Sequence, residues 1–168
     1  RTRKEWPSIG SMVAHARHNP GSKLPGNVAL PYPIYDGGWA NGQHAGFLGM
    51  KYDPVIMKPD KGTPYDGKSP VSGHLSFDFI DGVNEQRLAD RRNLLTRLSG
   101  SAQPTEPLEH YQQRVFDMLL DEETRRAFKI NDEPERQHLR YGSHVLGQSL
   151  LTARRLTGAG VPLVTVYA

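Results

Sequence analysis

Seven histidines, His15, His18, His44, His74, His110, His138 and His144, are the side chains best able to ligate a metal or relay a proton near neutral pH. Their spacing excludes several chemistries. No pair forms the His-Glu-x-x-His pattern of a helical zinc site, and no Asp-x-Asp calcium loop is present. The chain has no cysteine, which removes a thiolate zinc site, a cysteine nucleophile and a disulfide scaffold together. There is no Gly-x-Ser-x-Gly elbow. There is also no Gly-rich phosphate loop: the nearest run, Gly37-Gly38-Trp39-Ala40-Asn41-Gly42, lacks the Gly-Lys-Ser/Thr ending. His110 and Glu106 stand four apart, the spacing of a surface pair on one helix face.

The best site-forming segment runs from Asp36 to Gly49. It combines a glycine-rich backbone with an aromatic ring and several polar donors, as substrate loops do. Asp36, Trp39 and His44 are its candidate substrate-binding residues. The alternative is a purely structural loop, with Trp39 and Phe47 anchoring it to the core while the glycines turn. Arg154-Arg155 offers two guanidinium forks that match planar anions, or else a salt-bridged helix surface, and Asp90-Arg91-Arg92 has the same plain explanation. Asp132-Glu133-Pro134-Glu135 reads as the start of a helix, where acids complement the dipole, rather than as a pair of catalytic carboxylates.

The elements that must position these residues divide the chain in two. Gly and Pro supply 18 of the 56 residues from Asn19 to His74, so residues 19–82 read as a loop-rich insertion dominated by turns. Residues 83–168 read as a helical part closed by a strand. Ile9, Met12, Val13 and Ala16 predict a short amphipathic helix with Pro7 ahead of it, ended by Asn19-Pro20. Asn27 to Leu30 predicts a short buried strand stopped by Pro31 and Pro33. Leu88, Leu94, Leu95 and Leu98 predict a helix over 84–98. Leu108, Tyr111, Val115, Met118 and Leu119 predict another over 107–120, followed by a short one over 122–128. Ser143 is the expected N-cap of a helix running to about Thr157. After Gly158-Ala159-Gly160, the apolar run Val161–Tyr167 predicts a strand buried on both faces, as in a parallel sheet between helices. In such sheets the ligand site lies beyond the carboxyl ends of the strands.

Charge and hydropathy narrow the partners. The net charge is +3 with a sequence pI near 9.2, and acidic and basic residues interleave instead of forming blocks, so no nucleic-acid footprint is indicated. The apolar stretches fall far short of the ~20 residues that cross a bilayer. The length suits one domain or part of one. Because the chain opens on Arg1 with no charged-then-apolar leader, it reads as the interior of a longer gene product: a single incomplete domain over 1–168.

A set of strings in fixed order is more specific than any single motif. Trp6-Pro7-Ser8-Ile9-Gly10-Ser11 is followed by Leu24-Pro25-Gly26-Asn27-Val28 and by Gly46-Phe47-Leu48-Gly49-x-x-Tyr52-Asp53-Pro54. Asp90-Arg91-Arg92-x-Leu94-Leu95 comes next, then Ala127-Phe128 with Asp132-Glu133-Pro134, then Arg140-Tyr141-Gly142. Leu150-Leu151-x-Ala153-Arg154-Arg155-Leu156 and Gly160-Val161-Pro162-Leu163-Val164-x-Val166 complete the series. In this order and spacing the chain resembles the middle of the bacterial domain-of-unknown-function 1501 family, which is sulfatase-like and similar to the alkaline phosphatase superfamily. The resemblance implies an α/β fold, a partial α/β/α alkaline phosphatase-like sandwich around a mainly parallel sheet. It implies a metal-dependent hydrolase of sulfate or phosphate esters, with a divalent metal in the full-length protein and a small or polymeric anionic ester as substrate. The family's Asp- and His-bearing strings lie outside residues 1–168, so it implies no catalytic or metal residue here and an inactive fragment. It also implies export or a periplasmic location. The alternative is a non-catalytic member of the same fold that binds an anionic glycan or a protein partner.

Overall fold

The computed structural model describes residues 5–34, 40–58, 84–99 and 106–168. These residues form a mixed α/β structure with six helices and a three-stranded parallel sheet. Strand β1 (Val28–Leu30) is central, with β2 (Val55–Ile56) on one side and β3 (Val164–Val166) on the other. The register pairs Val28 with Val55 and with Val164, and Leu30 with Val166. All three residues of β1 are buried, which suits their unbroken apolar character between two partners. The expectation of a terminal strand buried on both faces is corrected. Residues of β3 are half-buried throughout, because among the described residues β3 is paired on one side only.

One face of the sheet builds the core. Side chains alternate along a strand, so Val28 and Leu30, Val55 and Met57, and Val164 and Val166 share a face. That face packs on Ala127 and Phe128 of α4 (Glu122–Phe128) and on Ala153 and Leu156 of α6 (Val145–Ala159). Between β2 and β3 the chain also passes through α2 (Glu85–Ser99), α3 (Glu106–Leu120) and α5 (Glu135–Tyr141). Parallel neighbours need such a crossover, and here it carries most of the helices. The region rich in Gly and Pro therefore contributes two of the three strands, β1 and β2, and two 3-10 turns, Gly46–Leu48 and Met50–Tyr52.

Two helices depart from their sequence reading. Helix α1 (Ile9–Ala16) forms where its spacing places it, with Ser8 Oγ accepting from the Ser11 N–H at 3.0 Å. Its apolar stripe nevertheless faces outward: Ile9 is 71% and Met12 46% exposed, while Gly10, Ser11 and Ala14 are buried. The reason is a close approach. A Cβ added at Gly26 would stand 2.8 Å from Ala14 Cβ, so this contact admits only small side chains. At α6 the N-cap is His144 and not Ser143, with Nδ1 accepting from the Gly147 N–H at 3.1 Å. Gly147 itself is required there, since a Cβ would lie 2.0 Å from the Tyr141 carbonyl oxygen. The stop after α6 is the expected one: Gly160 adopts φ +107°, in the left-handed region that favours glycine.

The charged clusters act as fasteners. Arg155 Nη1 meets Glu133 at 2.6 Å and its Nη2 donates to the Arg126 carbonyl at 2.7 Å, tying α6 to the end of α4. Arg154 faces the same carboxylate at 3.8 Å. Arg92 of α2 pairs with Asp117 of α3 at 3.1 Å. These are the salt-bridged surfaces that the sequence offered as the plain alternative to an anion fork.

Candidate functional site

The carboxyl ends of the three strands define one edge of the sheet. There β1 continues into the Leu30–Pro31 cis peptide and Tyr32, β2 into Met57 and Lys58, and β3 into Tyr167. The Tyr167 N–H donates to the Leu30 carbonyl at 2.8 Å, which holds β1 and β3 together at this edge. Burial pushes the Tyr167 phenol above 10. In open α/β sheets this is the edge outside which ligand crevices form.

The segment that follows Tyr32 is braced by one side chain. Gln43 is buried, and its Oε1 accepts from the Ile34 N–H at 2.6 Å. Its Nε2 donates to the Ile34 and Ala40 carbonyls at 2.8 and 2.9 Å. Of the three candidate substrate-binding residues, His44 lies immediately after this brace. Its carbonyl accepts from the Ser8 N–H at 2.8 Å, at the start of α1. Its Nδ1 is 3.8 Å from Asp53 Oδ1, which also accepts from the Ala45 N–H at 2.7 Å, and the His44 side chain is 13% exposed. His44 thus sits in an inward-facing junction between α1 and the strand β2 region. Asp36 and Trp39 lie outside the described residues. Phe47 packs edge-on against Trp6, ring centroids 5.5 Å apart, and both rings remain exposed.

A cavity of about 270 Å³ opens at the opposite edge, where the chain enters the strands. The Arg17–Asn27 approach to β1, the Lys51–Asp53 approach to β2 and the Gly160–Pro162 approach to β3 meet around it, with Arg114 of α3 beside them. No motif pointed to it. Its charged residues are scattered over nearly 100 positions, and only the fold brings them together. Burial, then the positive charges of Lys51 and Arg114 and the nearby His15, hold the His18 imidazole below its usual 6.5.

Among the described residues, no group of three or more His, Cys, Asp or Glu side chains is placed to hold a metal ion. No described helix is long and apolar enough to cross a membrane. The family model described as protein of unknown function (DUF1501) matches residues 1–168, and the chain belongs to that family. No curated protein and no solved structure matches the chain.

Proposed function

We propose that this member of the family forms part of a sulfatase-like, metal-dependent hydrolase of sulfate or phosphate esters, built on an α/β/α alkaline phosphatase-like sandwich. The observation that carries the reading is the shared carboxyl edge of three parallel strands, with Leu30–Pro31, Met57–Lys58 and Tyr167 side by side. That edge is where an open α/β sheet holds its ligand. The sulfatase-like character comes from the ordered strings of the sequence and not from the sheet, and a fold of this kind hosts many functions.

On this reading, as the resemblance implies, the metal and the nucleophile are held by parts of the complete protein outside residues 1–168. The part of this chain is to set the strand ends and to brace the following loop through Gln43. When bound, the metal would supply charge neutralisation at the transferred group. The resemblance also carries the inference of export or a periplasmic location.

The test is an ester assay of the complete gene product. After loading with zinc, manganese, calcium or magnesium, aryl sulfate or aryl phosphate should be hydrolysed, and chelation should abolish the activity. The 168-residue chain alone should show none. Turnover by the isolated chain, or no turnover by the complete protein with any of the four metals, would overturn the proposal.

A further inference from the structure

The cavity at the amino edge of the sheet gathers cationic groups from three separate elements. Arg17 and His18 follow α1, Lys51 lies in the second 3-10 turn, and Arg114 comes from α3. Arg17 stands at the C-cap of α1, where a cation complements the helix's partial negative end, and that accounts for its presence. Arg114, midway along α3, has no such reason, and Lys51 closes only a single 3-10 turn. Lys51 Nζ stands 5.5 Å from the centre of the Tyr52 ring, and Arg114 Nη2 donates to the Leu24 carbonyl at 3.3 Å. A guanidinium has five donors, and one is used there. Among the described residues neither Lys51 nor Arg114 is paired with a carboxylate. Asp53, the acid of the lining, is turned to the Ala45 N–H and His44.

We propose that this cavity binds a tetrahedral oxyanion, phosphate or sulfate, free or as a monoester, held by Lys51, Arg114, Arg17 and His18. Guanidinium and ammonium donors converging in a concave site match the oxygens of such an ion. The cavity, about 270 Å³, has room for one such ion or headgroup. The site does not rest on the hydrolase reading, because it lies at the other end of the strands from the proposed chemistry.

The groups facing His18 are Lys51, Arg114, His15 and Tyr52, whose ring lies 5.8 Å away, with Arg17 beside it in the chain and Asp53 across the lining. An anion between these cations offsets the repulsion they impose on the imidazolium. Binding therefore raises the affinity of His18 for a proton, and affinity for the anion falls as pH rises through the His18 transition.

The full chain is titrated with inorganic phosphate, inorganic sulfate, glucose 6-phosphate and glucose 6-sulfate, at constant ionic strength set with sodium chloride. The His18 ring protons are followed by NMR. A saturable shift and a raised His18 pKa are expected, with affinity reduced about tenfold in Lys51→Gln and in Arg114→Gln. Lys129→Gln, an exposed lysine paired with Asp132 and outside the cavity lining, should bind as the parent does. The tighter ligand of each ion–ester pair tells whether the oxyanion arrives free or on a carrier, and either result upholds the site. The proposal falls if no saturable shift appears by about 50 mM, if chloride alone reproduces it, or if K51Q and R114Q bind as the parent does. None of these results depends on hydrolysis.

Discussion

Asp121 and His18 are single residues whose surroundings give stability a predictable dependence on pH. Burial raises the Asp121 carboxyl, but bonds from Thr124 Oγ1 at 2.7 Å and the Thr124 N–H at 2.8 Å, together with Lys23 at 3.5 Å, outweigh it. The net shift is below 3.8. A depressed carboxyl stabilises fully above its unfolded value and loses that contribution as pH falls through the native one. As the N-cap of α4, Asp121→Ala should cost about 1 kcal/mol at pH 7 in urea unfolding. The gap between variant and parent should narrow as pH drops below 3.8, and a gap independent of pH would refute the linkage. His18 works in the opposite charge sense. The unfolded chain takes up a proton near 6.5 that the folded protein resists, so stability rises with pH through that region and then levels. His18→Gln should remove this increment, and urea midpoints at pH 5 and 8 measure the difference. The His18 effect was not legible in the sequence, because Lys51 and Arg114 are far from it along the chain, whereas the Asp121 shift comes chiefly from Thr124, three residues on. His44 was legible as a loop histidine, but its contacts with Asp53 and Ser8 were not.

At the scale of elements, periodicity found helices well and their burial less well. The spacing in α2 and α3 placed each within one residue of its observed bounds, since a repeat of apolar residues needs no knowledge of the neighbour. The orientation of α1 does need it. Ile9, Met12 and Val13 form a stripe, yet the contact that seats the helix is made by Gly10 against Asn27 and Ala14 against Gly26. Strand β2 gave no signal because two residues carry no alternation, and its pairing with β1 alone defines it. The α1 reading has a direct test. Ile9→Ser and Met12→Ser should change stability by no more than about 0.5 kcal/mol. Ala14→Leu should cost about 1–3 kcal/mol through overpacking against Gly26. Denaturant melts decide it, and the reverse ranking would mean that the apolar stripe faces the core after all.

At the scale of the molecule, the core is assembled from segments that are distant in sequence. Val28 and Leu30 come from β1, Met57 follows β2, Ala127 and Phe128 end α4, and Leu156 and Val161 flank the end of α6. The resemblance and the apolar runs made a parallel sheet covered by helices legible in advance, while the strand order β2-β1-β3 followed only from the pairing. Phe128 joins these segments. It is fully buried in the cluster, one and two residues after the Ala127 and Arg126 carbonyls to which Arg155 of α6 donates. Removing its ring leaves a cavity that neither the strands nor the helix can fill without moving the other, so Phe128→Ala should cost about 3–5 kcal/mol. A domain's total stability is about 5–15 kcal/mol, so this one change removes a large share of it. Because Phe128 touches sheet and helix together, the loss should appear as a lower urea midpoint at unchanged slope, with fluorescence and circular dichroism transitions coinciding. If fluorescence and dichroism separated in the variant, the sheet and the helices would be unfolding as independent units, and the cluster around Phe128 would not be what unites them.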